Sequence, residues 1–115
     1  MIDVDVEFTK GVLFVRLKGV INKSNEYVAK EKIFNIIKNG GIRYLVFNTE
    51  QLDITSDVTL FDDCEKLIKQ NDGKMLICCS NMKEFATSYE HVENELLALN
   101  LLTAWLNLQM KWLNY

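Results

Sequence analysis

Tyr44-Leu-Val-Phe47 and Met75-Leu-Ile-Cys-Cys79 are the two stretches whose reading decides the fold. Each is short and apolar at every position, the pattern of a strand covered on both faces. Between them Leu60, Phe61, Cys64, Leu67 and Ile68 recur at helical spacing, and Asn71-Asp-Gly73 stops the helix. A strand, a helix and a strand in that order predict a right-handed crossover with the two strands parallel.

Working outward, Ile2, Val4, Val6 and Phe8 alternate with Asp3, Asp5, Glu7 and Thr9, a strand with one wet face. Lys10-Gly11 turns the chain into Val12-Leu-Phe-Val-Arg-Leu17, so the first two strands form an antiparallel hairpin. From Ser24, apolar Val28, Ala29, Ile33, Ile36 and Ile37 at helical spacing predict an amphipathic helix that Gly40-Gly41 ends. Beyond residue 80 the periodicity is helical: a short helix near Met82 to Thr87, then a longer one from about Glu90. The apolar stripe of the longer helix is wider than one sheet face needs. Trp105 and Trp112 are its natural anchors for a second protein, or else fill the domain's own core.

At 115 residues with 49% apolar content, the chain fits one domain with one core. Its 13 basic and 16 acidic residues form no basic stripe, which argues against a nucleic-acid partner. Asn100, Thr103, Asn107 and Gln109 interrupt the C-terminal apolar run, so no membrane span is expected. Met1-Ile-Asp-Val-Asp-Val-Glu7 lacks the basic start and apolar run of a secretory signal, and a cytoplasmic location is expected. Cys64, Cys78 and Cys79 suit neither a disulfide framework nor a CxxC site and read as core thiols.

Groups arranged for catalysis are not evident. His91 is the single histidine, and with Glu95 one helical turn away it makes at most two ligands, which defines no metal site. No cofactor motif is present, and neither an enzyme nor a small-molecule sensor finds support. The segment that invites a role is Asp53-Ile-Thr-Ser-Asp-Val58, leading into the second helix. Thr55, Ser56 or Asp57 can cap the helix, whereas phosphorylation of Ser56 would add nearly two negative charges beside Glu50, Asp53 and Asp57.

Val12-Leu-Phe-Val-Arg-Leu-Lys-Gly19, Gly40-Gly-Ile-Arg-Tyr-Leu-Val-Phe-Asn48 and Asn71-Asp-Gly-Lys-Met-Leu-Ile-Cys78 resemble, in order and spacing, the second, third and fourth strands of the STAS domain. This is the fold of bacterial anti-sigma factor antagonists, and the resemblance covers roughly residues 4 to 80. With the elements read from the residues, the expected fold is α/β and STAS-like, with a β-β-α-β-α-β core, a mixed four-stranded sheet with helices mainly on one face, and a helical C-terminus. One STAS-like domain over residues 1–115 is expected, its sheet-and-helix core in 1–80 and its C-terminal helices in 82–115.

The resemblance also implies binding to an anti-sigma factor, often a serine kinase, in transcription control. The family's switch motif, Asp-Ser-Ser-Gly-Leu, is matched by Ile54-Thr-Ser-Asp-Val58, which leaves Ser56 as phosphoacceptor. Ile54 stands where the acid belongs, Asp57 replaces the glycine, and Asn22 matches the Asp that follows the second strand. The family's fifth strand is not evident. Partner contact is expected through Asn22, Lys23, Ser24 and Asn25 and through Asp53, Thr55, Asp57 and Thr59, at the C-terminal ends of strands two and three. The alternative is a structural module that self-associates as a homodimer through the C-terminal helix.

Overall fold

The computed structural model describes the backbone of residues 2–80 and 83–113 and the side chains of residues 2–80 and 83–108. Five strands form one sheet in the order β1 (Ile2–Thr9), β2 (Val12–Ile21), β3 (Tyr44–Ile54), β4 (Lys74–Cys78) and β5 (His91–Val92). Only β1 runs antiparallel to its neighbour. Helix α1 (Glu26–Gly40) joins β2 to β3, and α2 (Leu60–Gln70) joins β3 to β4. A 3-10 helix over Glu84–Ser88 precedes β5, and α3 (Glu95–Leu113) follows it.

Spatial and sequence order of the strands coincide, so both crossovers step the same way across the sheet. Crossovers of one hand then place α1 and α2 on the same face. Ala29, Ile33 and Ile37 of α1 and Leu60, Phe61, Cys64 and Ile68 of α2 bury against Leu13, Val15, Leu17, Leu45, Phe47 and Ile77. The opposite face carries a smaller core, in which Ala98 and Leu102 of α3 cover Val12, Phe14, Tyr44, Val46, Leu76 and Cys78. The apolar runs of β2, β3 and β4 are thus explained by burial on both sides.

β3 contains a bulge. Arg16 of β2 pairs with Asn48, but Lys18 pairs with Gln51, so β3 carries one extra residue there. The extra residue shifts the alternation by one position, and Leu52 joins Leu45 and Phe47 in the α1 and α2 core. Thr49, inside the bulge, is fully buried and donates from Oγ1 to the Cys78 carbonyl at 3.1 Å.

Two expectations are corrected. A fifth strand exists: the amides of Ile77 and Cys79 donate to the carbonyls of Glu90 and Val92 at 2.9 and 3.0 Å. Two residues are too few to show an alternation. The long helix begins at Glu95 rather than Glu90, because residues 90–92 are drawn into that pairing. Asn94 Oδ1 then accepts the Leu97 amide at 2.9 Å at the helix start. The short helix expected near Met82 to Thr87 is the 3-10 turn at Glu84–Ser88, with Met82 outside the described residues.

α3 is fastened to its face by Arg16. The guanidinium donates to Glu95 at 2.9 and 2.8 Å and to Glu7 at 2.9 Å, and Asn48 Nδ2 donates to the same Glu95 carboxylate at 2.7 Å. Hydrogen bonds from Arg16 lower the Glu95 pKa, against the opposing effect of burial. A carboxyl group with a lowered folded-state pKa contributes stability above its ordinary value and loses it as pH falls through the folded-state value. Denaturant unfolding between about pH 3 and 6 should therefore show stability rising with pH, with the rise reduced in Glu95→Gln. Arg16→Ala should cost about 1–3 kcal/mol at neutral pH, since it leaves the partly buried Glu95 carboxylate with Asn48 but without its counter-charge.

The turn from α2 into β4 admits only glycine at position 73. A methyl group built there would overlap the Arg43 carbonyl, which accepts the Lys74 amide at 2.8 Å. Gly73→Ala should lower stability by about 2 kcal/mol or more, read as a fall in melting temperature, because backbone rather than a side chain must move.

Candidate functional site

β2 and β3 end side by side, and the segments that leave them are tied together. The Thr55 amide donates to the Ile21 carbonyl at 3.1 Å, prolonging the ladder by one residue beyond β3. Next to it the Lys23 amide donates to Ser56 Oγ at 2.9 Å. Residues 22–25 and 53–59, far apart in sequence, therefore form one ridge.

Asn22 and Asn25 hold the first segment rigid. Asn22 Oδ1 accepts the amides of Ser24 and Asn25 at 2.8 and 3.1 Å, while Asn25 Oδ1 accepts the Asn22 amide at 2.9 Å. Asn25 Nδ2 also donates to the Val20 carbonyl at 2.8 Å. Asn22 and Asn25 are half-buried in these bonds, whereas Lys23 and Ser24 are exposed. In the second segment Asp53, Thr55, Ser56, Asp57 and Thr59 are all exposed.

The capping expectation fails in its detail. α2 starts at Leu60, too far along for Thr55, Ser56 or Asp57 to cap it, and the boundary residue Thr59 makes no side-chain cap of its own. Glu26 of α1 supplies the acceptor instead, taking the Thr59 amide on Oε2 at 3.0 Å. Lys30, one turn along α1, bridges Glu26 and Asp63 at 3.4 and 3.1 Å and also donates to Thr59 Oγ1. Thr59 Oγ1 in turn donates to Asp63 at 3.0 Å. Burial works against the Lys30 charge, but Asp63 and Glu26 outweigh it and raise its pKa. Asp63 is lowered by the same contacts in spite of its own burial.

Glu26, Lys30 and Asp63 were not singled out from the sequence. Their signal was faint: a Glu-Lys pair four apart on a helix reads as ordinary surface. Burial marks Glu26 out, at 9% exposure. Lys83 is a second such residue; its ammonium donates to the carbonyls of Thr49 and Leu52, each at 2.6 Å, and pins the end of β3.

Clefts open on both sides of Ser56. One of about 710 Å³ is lined by Asp53, Thr55, Ser56, Lys83, Glu84 and Phe85 among others. The other, about 310 Å³, lies between Ser56, Val58, Phe61, Phe85 and Tyr89. Phe61 and Phe85 stack at 5.1 Å and floor it, and Tyr89 donates to Asp62 at 2.5 Å on its rim.

His91 and Glu95 do not share a helix. His91 lies in β5 and Glu95 is held by Arg16 and Asn48. No group of three or more His, Cys, Asp or Glu side chains among the described residues is placed to hold a metal ion, and no helix among them is long and apolar enough to cross a membrane. Trp105 of α3 is 40% exposed and takes the Lys74 ammonium over its ring at 4.8 Å; the Trp112 side chain lies outside the described residues.

This architecture is that of the anti-sigma factor antagonists. The chain is similar to a putative anti-sigma factor antagonist of Thermotoga maritima, with a TM-score of 0.75 and 13% identity over 87% of this chain and 94% of the other. It is similar also to the phosphorylated form of the Bacillus cell fate determinant SpoIIAA, with a TM-score of 0.67 and 16% identity over 85% and 97%. An anti-sigma factor antagonist of Mycobacterium paratuberculosis matches with a TM-score of 0.68 and 12% identity over 90% and 95%. No family model matches the sequence. At such identities the shared property is the fold, the STAS fold expected from the sequence.

Glu26→Ala should strand the Thr59 amide and unbalance Lys30, costing about 1–3 kcal/mol in denaturant unfolding. Glu26→Gln keeps an acceptor for the amide and should recover part of that loss.

Proposed function

We propose that this chain is an anti-sigma factor antagonist, a cytoplasmic bacterial regulator that binds rather than catalyses. Its ridge, residues 22–25 with 53–59, would dock on an anti-sigma factor of serine-kinase type and so free the sigma factor from it. The observation that carries this reading is the exposed Ser56 at the joint of the two segments, bonded to the Lys23 amide and flanked by clefts. The fold shared with antagonists, one of them solved in phosphorylated form, supports it.

Phosphorylation of Ser56 would place nearly two negative charges next to Asp53 and Asp57 and disturb the bond that joins the segments. The contact surface would then change shape and charge together. Isolation of the tagged protein from the organism that encodes it should recover a protein with a serine-kinase fold, and that kinase with ATP should phosphorylate the wild type but not Ser56→Ala. Ser56→Asp should weaken the complex by about tenfold or more. Recovery of no such partner, together with a Ser56→Asp variant whose interactions match the wild type, would overturn the proposal.

A further inference from the structure

α3 buries less of itself than α1 and α2 do. Among its described side chains, Ala98 and Leu102 are buried on the sheet and Leu99 and Leu106 are half-buried. α1 buries three apolar side chains and α2 buries four, on the opposite face. Polar contacts complete the fastening of α3. Arg16 grips it through Glu95 at 2.9 and 2.8 Å, and the Lys74 ammonium lies over the Trp105 ring at 4.8 Å.

Each of these cations also holds a carboxylate that does not belong to α3. Arg16 donates to Glu7 of β1 at 2.9 Å and has Asp5 at 3.8 Å, and Lys74 pairs with Glu90 at 2.8 Å. Lifting α3 away therefore strands neither cation. The Glu95 carboxylate passes into water, and Asn48 Nδ2, its other donor, is hydrated in turn.

The helix also carries its own start. Asn94 accepts the Leu97 amide on Oδ1 at 2.9 Å and the Ala98 amide on its carbonyl at 3.1 Å, so the first turn is closed from within the segment. Exposed Glu93 and Asn94 form the link to β5, which the Ile77 and Cys79 amides hold separately. On the sheet, β2, β3 and β4 are bonded to one another and packed on α1 and α2 without help from α3. We infer that α3 is a strap that swings off the sheet as a unit about residues 93–94 while the rest of the domain stays folded, the clasp between Glu95 and Arg16 setting how often it opens. Opening bares Val12, Phe14, Val46 and Leu76 to water, so the closed state predominates and the open one is a minor population.

An isolated helix of this kind is marginal in water, so the α3 amides exchange with solvent once the strap is off. Native-state hydrogen exchange of the full chain, read by mass spectrometry, should show α3 opening at least about tenfold more often than α1, α2 and β3. Glu95→Gln, which weakens the clasp but keeps an acceptor, should speed exchange in α3 by about tenfold. Ile33→Val, in the core on the other face, should speed exchange in α1 and α2 by about twofold to tenfold and leave α3 at the wild-type rate. α3 amides that exchange in step with those of α1 in the wild type, an Ile33→Val variant that speeds α3 as much as α1, or a Glu95→Gln variant whose α3 exchanges as in the wild type would each overturn the inference. The wild-type comparison stands even if a variant does not fold. The Ser56 ridge takes no part in it, so its outcome is independent of the antagonist role.

Discussion

The extra residue in β3 is the constraint on which the rest of the arrangement depends. A strand with strict alternation through Asn48 would turn Leu52 and Ile54 toward the α3 side and Asp53 toward the α1 and α2 core. The bulge restores the apolar residues to that core and carries the strand on to Ile54. Two polar anchors hold it: the buried Thr49 hydroxyl on the Cys78 carbonyl, and the Lys83 ammonium on the Thr49 and Leu52 carbonyls. Because β3 continues in register with β2, the chain leaves both strands at one level. The Lys23 amide can then reach Ser56.

The sequence made the core of this fold readable where pattern and burial coincide. Continuous apolar runs at Tyr44–Phe47 and Met75–Cys79, and the helical stripes of α1 and α2, each answer to one dominant environment. What escaped was decided by partners distant in sequence. β5 exists because Ile77 of β4 and Cys79 just beyond it offer two amides, and nothing in His91–Val92 itself announces a strand. The stretch Asn48–Asp53 lies beyond the apolar run Tyr44–Phe47, and it is its pairing with β2 that makes it strand.

The ridge was legible in part. Asn22–Asn25 and Asp53–Thr59 were marked by polar character and by the family likeness, and the structure sets them side by side. Their internal logic was not legible. Thr55, Ser56 and Asp57 have the composition of helix caps, yet α2 begins later and takes its acceptor from Glu26 on the neighbouring helix. A cap borrowed from another element leaves no local signature. The three-carboxylate arrangement around Arg16, drawn from β1 and α3, is hidden in the same way.

Cys64, Cys78 and Cys79 are all buried, the first two in the separate cores on opposite faces of the sheet. Burial also pushes the Cys64 and Cys78 thiols up, Cys78 to about 12, so these two have neither solvent access nor thiolate in the native fold. The chain thus carries its own reporter groups. An alkylating reagent modifies each thiol only as fast as its side of the sheet opens. The order in which Cys64 and Cys78 acquire label distinguishes α3 lifting off alone from the whole sheet coming apart.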